Sequence, residues 1–82
     1  MKIIITVNFA NDKFNRDFEL SNALLSKHTV LMVTSSIQLI NAINDYDIII
    51  IGQSSFPFDN KIVGNKRVIQ AENSDIINLL ND

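Results

Sequence analysis

Apolar residues along this chain arrive in short runs that alternate with segments of helical period. Ile3 to Val7 form a run broken only by Thr6, which suits a strand buried on both faces of a parallel sheet. A polar stretch from Asn8 to Asn15 follows, interrupted by Phe9 and Phe14. Asn15 is placed to cap a helix, with Asp17 and Glu19 in a first turn where negative charge suits the helix dipole. Phe14, Phe18 and Leu25, with Leu20 and Leu24, recur at helical spacing as its apolar face, and Lys27 and His28 close it.

The alternation then repeats. Thr29 to Thr34 read as a second strand, and Ser35 with Gln38 makes a capping box that opens a helix through Asn44. Ile37, Ile40 and Ile43 are its expected core-facing stripe. Asp45-Tyr46-Asp47 turns into four consecutive isoleucines, Ile48 to Ile51, ahead of Gly52, the clearest central strand in the chain. Beyond Gly52 the pattern weakens. Gln53 to Lys66 contain Pro57 and Gly64 and show no helical period where a third crossover helix is expected. Arg67 to Ala71 read as a short fourth strand, and Ser74 caps a last helix from Asp75 to Asn81 carrying Ile76, Ile77, Leu79 and Leu80. The order β-α-β-α-β-loop-β-α predicts an α/β fold. It would be a small three-layer sandwich on a mostly parallel four-stranded sheet, a Rossmann- or flavodoxin-like half with right-handed crossovers.

Length agrees with that picture, since 82 residues make one domain, residues 1–82, with room for a single small core. Self-association would compensate for so small a core. Charge narrows the partners. The seven Lys and Arg are scattered, and the net charge of −2 gives neither the basic stripe of a nucleic-acid binder nor the density of a DNA mimic. With no cysteine there is no disulfide, thiolate nucleophile or Cys-ligated metal. No apolar run approaches the roughly 20 residues that span a bilayer, and the N-terminus reads as a strand rather than a signal peptide. The expectation is a cytoplasmic protein that binds neither nucleic acid nor membrane. Heavy use of Asn and Ile suggests an AT-rich genome, such as that of a low-GC bacterium or its phage.

In open parallel sheets, ligands bind beyond the carboxyl ends of the strands, where strand order reverses. The loops there carry Asn8, Asn11, Asp12, Thr34, Ser35, Ser36, Gln53, Ser54 and Ser55. These amides, hydroxyls and one carboxylate have two readings: hydrogen-bonding groups for a sugar or other polar ligand, or ordinary loop and cap formers. The first β–α turn lacks the glycines of a dinucleotide fold, and Gly52 and Gly64 alone cannot write a P-loop, so no cofactor is expected. His28 is the only histidine and lies away from those loops, so no metal site is expected either. Asp17 and Glu19 are two apart and project from different helix faces. A receiver domain would place acidic residues where Asn8 and Gly52 stand, and a IIB domain of a sugar phosphotransferase system would place a cysteine after the first strand. The chain is therefore not expected to be an enzyme by itself. Phe56-Pro57-Phe58 is the most distinctive local feature. The two aromatics would either anchor a partner protein or fold back to seal the sheet where a helix is missing.

The segment Asn15-Arg16-Asp17-Phe18-Glu19-Leu20-Ser21-Asn22-Ala23-Leu24-Leu25-Ser26-Lys27-His28-Thr29-Val30-Leu31-Met32-Val33 resembles the start of GT-B glycosyltransferases. There, a first helix ends in a "Leu-Ser-Lys-x-His" type of turn before a strand. Asp45-Tyr46-Asp47-Ile48-Ile49-Ile50 also resembles the strand of such proteins that begins "Tyr-Asp-Ile". The likeness covers about half of the chain and implies a Rossmann-like N-terminal half. That family places its nucleotide-sugar site mainly in a second domain, so the resemblance implies an acceptor-side or sugar-binding half without catalysis of its own. The residues themselves favour a small non-enzymatic module, such as a phage or accessory regulator, that docks onto a larger protein. Phe56, Pro57 and Phe58 are its candidate contacts, and Asn8, Asn11, Asp12, Ser35, Gln53 and Ser54 are the candidate ligand set.

Overall fold

The computed structural model describes every residue except 73, 74 and 82. Its elements follow the expected order: β1 (Lys2–Thr6), α1 (Phe14–Leu25), β2 (Thr29–Val33), α2 (Ser36–Ala42) running into a 3₁₀ turn (Ile43–Asp45), β3 (Ile48–Ile51), a second 3₁₀ turn (Asn60–Val63), β4 (Arg67–Gln70) and α3 (Ile76–Asn81). The four strands form one all-parallel sheet in the order β2-β1-β3-β4. The chain steps outward from β1 to β2 and then crosses back to β3, so strand order reverses between β1 and β3.

Both central strands are covered on both sides, which explains their unbroken isoleucine. Ile3, Ile5, Ile48 and Ile50 face one layer, where Leu20 and Leu24 of α1 and Ile76 and Leu80 of α3 close the core. Ile4 and Ile49 face the other, where Leu39, Ile43 and Val63 do so. A polar residue at any of these positions would bury a group without a partner. At the amino ends of the strands, the Lys2 amide donates to Asp47 Oδ2 at 2.9 Å and Lys66 Nζ donates to the Tyr46 carbonyl at 2.7 Å.

The missing third crossover helix is replaced by coil and the Asn60–Val63 turn, with Phe56, Phe58, Ile62 and Val63 packed on the second core cluster. Asp59 caps that turn by accepting from the Lys61 amide at 2.9 Å, and Gly64 ends it at a positive φ of 56°, a conformation that suits glycine.

Three local expectations need correction. Asn15 does not cap α1. The helix starts two residues earlier, at Phe14 after Lys13, whose amide is held by Asn11 Oδ1 at 2.9 Å. The buried stripe of α1 is Asp17, Leu20, Ser21 and Leu24, whereas Phe18 and Leu25 are exposed. In α2, the expected stripe Ile37, Ile40 and Ile43 is not one face. Each three-residue step falls about 60° short of a full turn. Exposure follows that drift, at 8% for Ile43, 51% for Ile40 and 72% for Ile37, while Leu39 is fully buried. The cap predicted at Ser74 lies outside the described residues.

Candidate functional site

The point where strand order reverses is the crevice between the loops that follow β1 and β3. The carboxylate of Asp17 closes it from inside. Asp17 sits in the first turn of α1 on its core-facing stripe and is 1% exposed. Its Oδ1 accepts the Gln53 amide at 2.8 Å, and its Oδ2 accepts the Ser54 amide at 2.8 Å and the Ser54 hydroxyl at 2.5 Å. Two carboxylate oxygens thus take three donors from the loop after β3, which ties that loop to α1 across the crevice.

A second pair of hydroxyls completes the closure. Thr6, the last residue of β1, is fully buried, and its Oγ1 lies 2.7 Å from Ser55 Oγ. Ser55 also donates to the Phe56 carbonyl at 2.8 Å, and Ser54 Oγ accepts the Asn8 amide at 3.2 Å. Gly52 lies between the two groups. A Cβ there would stand against the Thr6 carbonyl oxygen and 2.6 Å from Asp17 Oδ2. Its glycine therefore answers to close backbone approach and not to an unusual backbone angle.

The candidate ligand residues have local partners. Asn8 Oδ1 accepts the Ala10 amide at 3.0 Å and Asn11 Oδ1 accepts the Lys13 amide, both two-residue Asx turns. Ser35 caps α2 by accepting the Gln38 amide at 3.2 Å, while Gln38 Oε1 reaches back to the Thr34 amide at 2.7 Å. Ser54 is buried beneath Asp17. Gln53 Oε1 accepts from Arg16 at 3.1 Å, and Asp12 is exposed. Asn8, Gln53 and Ser54 do come together at the crevice, whereas Ser35 belongs to the separate cap of α2. Phe56 and Phe58 are half-buried on the second core cluster with ring centroids 5.5 Å apart, and Pro57 is exposed.

Asp17, Thr6 and Gly52 are the residues whose role the sequence reading missed. Asp17 stands three residues before Leu20 and seven before Leu24, a spacing that places a carboxylate on the core stripe and signals a buried acceptor.

Chemically, the network positions a loop. The Ser54–Asp17 pair has the composition of an activated hydroxyl, but Ser54 is fully buried, so no substrate reaches its oxygen. Outside it, Lys13, Arg16, Gln53 and Glu72 line an open recess of about 410 Å³ with both signs of charge. Among the described residues no group of three or more His, Cys, Asp or Glu could hold a metal ion, and no helix is long and apolar enough to cross a membrane. Comparison with protein-family models, with curated proteins and with solved structures finds no match for this chain.

Proposed function

We propose that this chain is a non-enzymatic protein-binding domain that docks onto a larger partner. The observation that carries this reading is the outward pair Ile37 and Ile40 on α2, a helix without a charged side chain. Their face of the sheet also carries the Phe56-Pro57-Phe58 loop, whose two rings are half-buried against the core cluster beneath α2 while Pro57 is exposed. Exposed apolar groups in such company mark contact surfaces rather than scattered surface residues. The inward commitment of Asp17, Ser54 and Ser55 supports the same reading, because it removes polar groups that a small ligand at the crevice would use.

The test is capture of partners from host lysate by the tagged chain, by its Ile37→Glu/Ile40→Glu variant and by its Phe56→Ala/Phe58→Ala variant. One stoichiometric partner is expected with the native chain and lost with the first variant, whose circular dichroism stays native. Retention by that variant would place the contact elsewhere.

The recess lined by Lys13, Arg16, Gln53 and Glu72 favours one second reading, a polar-ligand half of the glycosyltransferase type. Saturable heat on titration with nucleotide sugars, lost in Arg16→Ala, would replace the docking reading with this one.

A further inference from the structure

Two adjoining cavities at the carboxyl ends of the strands differ in chemistry. One, of about 290 Å³, opens between α1 and α3 and takes its apolar walls from Leu20, Ala71, Ile76 and Ile77. The other is the recess of about 410 Å³ bounded by Lys13, Arg16, Gln53 and Glu72. Arg16, Gln53 and Glu72 line both and mark where they meet. The walls come from the start of α1, the loops after β3 and β4, and α3, beyond the carboxyl ends of the strands, where open parallel sheets hold ligands.

The charges around this two-part recess are balanced and kept apart. Lys13 and Arg16 supply the cations, and Glu19 and Glu72 supply as many carboxylates. Asp17 adds no free acceptor, because its oxygens are taken by the loop after β3. Among the described residues no ion pair joins the four charges, and Arg16 donates instead to the neutral Gln53 Oε1 at 3.1 Å. Opposite charges that line one recess without touching keep their attraction for a ligand that carries both signs. A ligand with negative charge alone would meet Glu19 and Glu72 as well as the cations. The apolar part adds a further requirement, a small hydrocarbon group.

We infer that this recess binds an aliphatic α-amino acid of leucine size as its zwitterion. The carboxylate pairs with the planar Arg16 guanidinium beside Lys13, and the ammonium group pairs with Glu72. The branched side chain enters between Leu20, Ala71, Ile76 and Ile77. An α-amino acid carries these three groups on one carbon, and the three kinds of wall likewise converge at Arg16 and Glu72. Leu20, Ala71 and Ile76 are buried and fixed, whereas Lys13, Arg16 and Glu72 are exposed and must be ordered on binding. A dissociation constant of about 0.1–1 mM is expected on that account. The inference is independent of the docking reading, whose surface on α2 lies across the sheet. It gives the recess a different ligand from the nucleotide sugar of the second reading.

The probe is L-leucine, titrated to about 10 mM into the isotope-labelled full chain and followed by amide chemical shifts. Saturable shifts are expected at Gln53, Ala71, Glu72 and Ile76. Isocaproate lacks the amine, isoamylamine the carboxylate and glycine the side chain, and each should bind at least about tenfold more weakly. Glu72→Gln should weaken leucine about tenfold and leave isocaproate unchanged, whereas Arg16→Gln should weaken both. Loss of folding does not produce that crossed pattern. Ile37→Glu/Ile40→Glu should bind leucine as the native chain does. Absence of a saturable shift with leucine overturns the proposal. So does isocaproate or glycine binding as tightly as leucine, or leucine binding that survives both recess variants. Saturation of the same amides by UDP-glucose, with leucine silent, would assign the recess to the nucleotide-sugar reading instead.

Discussion

The crevice at the ends of β1 and β3 and the outer surfaces of α1 and α2 invert the usual placement of polarity. At the crevice, a carboxylate and three hydroxyls are turned inward and satisfied by one another. On the helices, Phe18, Leu25, Ile37 and Ile40 are turned outward. In open α/β sheets the crevice is where ligands are bound. Here its polar groups serve as internal fastenings, and the side chains left without an internal role are apolar. Fold analogy identifies a place, but the partners of its side chains decide its use.

That contrast implies large stability effects at the crevice and small ones on the helices. The largest is expected for Gly52→Ala. Its methyl group must displace either β1 backbone or Asp17, at a cost of about 4 kcal/mol or more, read as a lower urea midpoint. Asp17→Ala should cost about 3 kcal/mol, because three donors, two of them buried, lose their acceptor at once. Asp17→Asn should recover only part of that, since its NH₂ must face one of those donors. If Asp17→Ala unfolds at the native midpoint, the network is incidental. Ser54→Ala should cost about 1.5 kcal/mol by removing one donor to Asp17 and the acceptor of the Asn8 amide. At the far end, Ile37→Gln should shift stability by under about 0.5 kcal/mol, as an exposed substitution without a structural partner does. A large loss there would show that α2 is seated differently and would erase the contrast.

Much of the fold is legible in the residues. The unbroken runs Ile3–Val7 and Ile48–Ile51 require cover on both faces, and two such runs with helical segments between them require a parallel sheet with crossovers. Ser35 with Gln38 marked the start of α2, although Gln38 reaches the Thr34 amide rather than that of the capping residue. The weak pattern after Gly52 was a true absence of α-helix, because Pro57 and Gly64 leave only one short 3₁₀ turn between them. The rotation of the helices was less legible. In α2, Ile37, Leu39, Ile40 and Ile43 offer two apolar directions within two turns, and local spacing cannot choose between them. In α1, local spacing makes Asp17 a partner of the helix dipole, because a carboxylate on the core stripe makes sense only once its hydrogen-bond donors are in place. Those donors come from residues 36 and 37 positions away.

By itself, then, the sequence determined which segments are strands and helices and that the sheet is buried on both sides, since those follow from local period and from the cost of exposing Ile. Only the tertiary structure decided which side of each helix is inside and whether the crevice is open. Both depend on groups brought together from β1, α1 and the loop after β3, and the free energy of a buried carboxylate is set by those distant donors rather than by its neighbours in the chain.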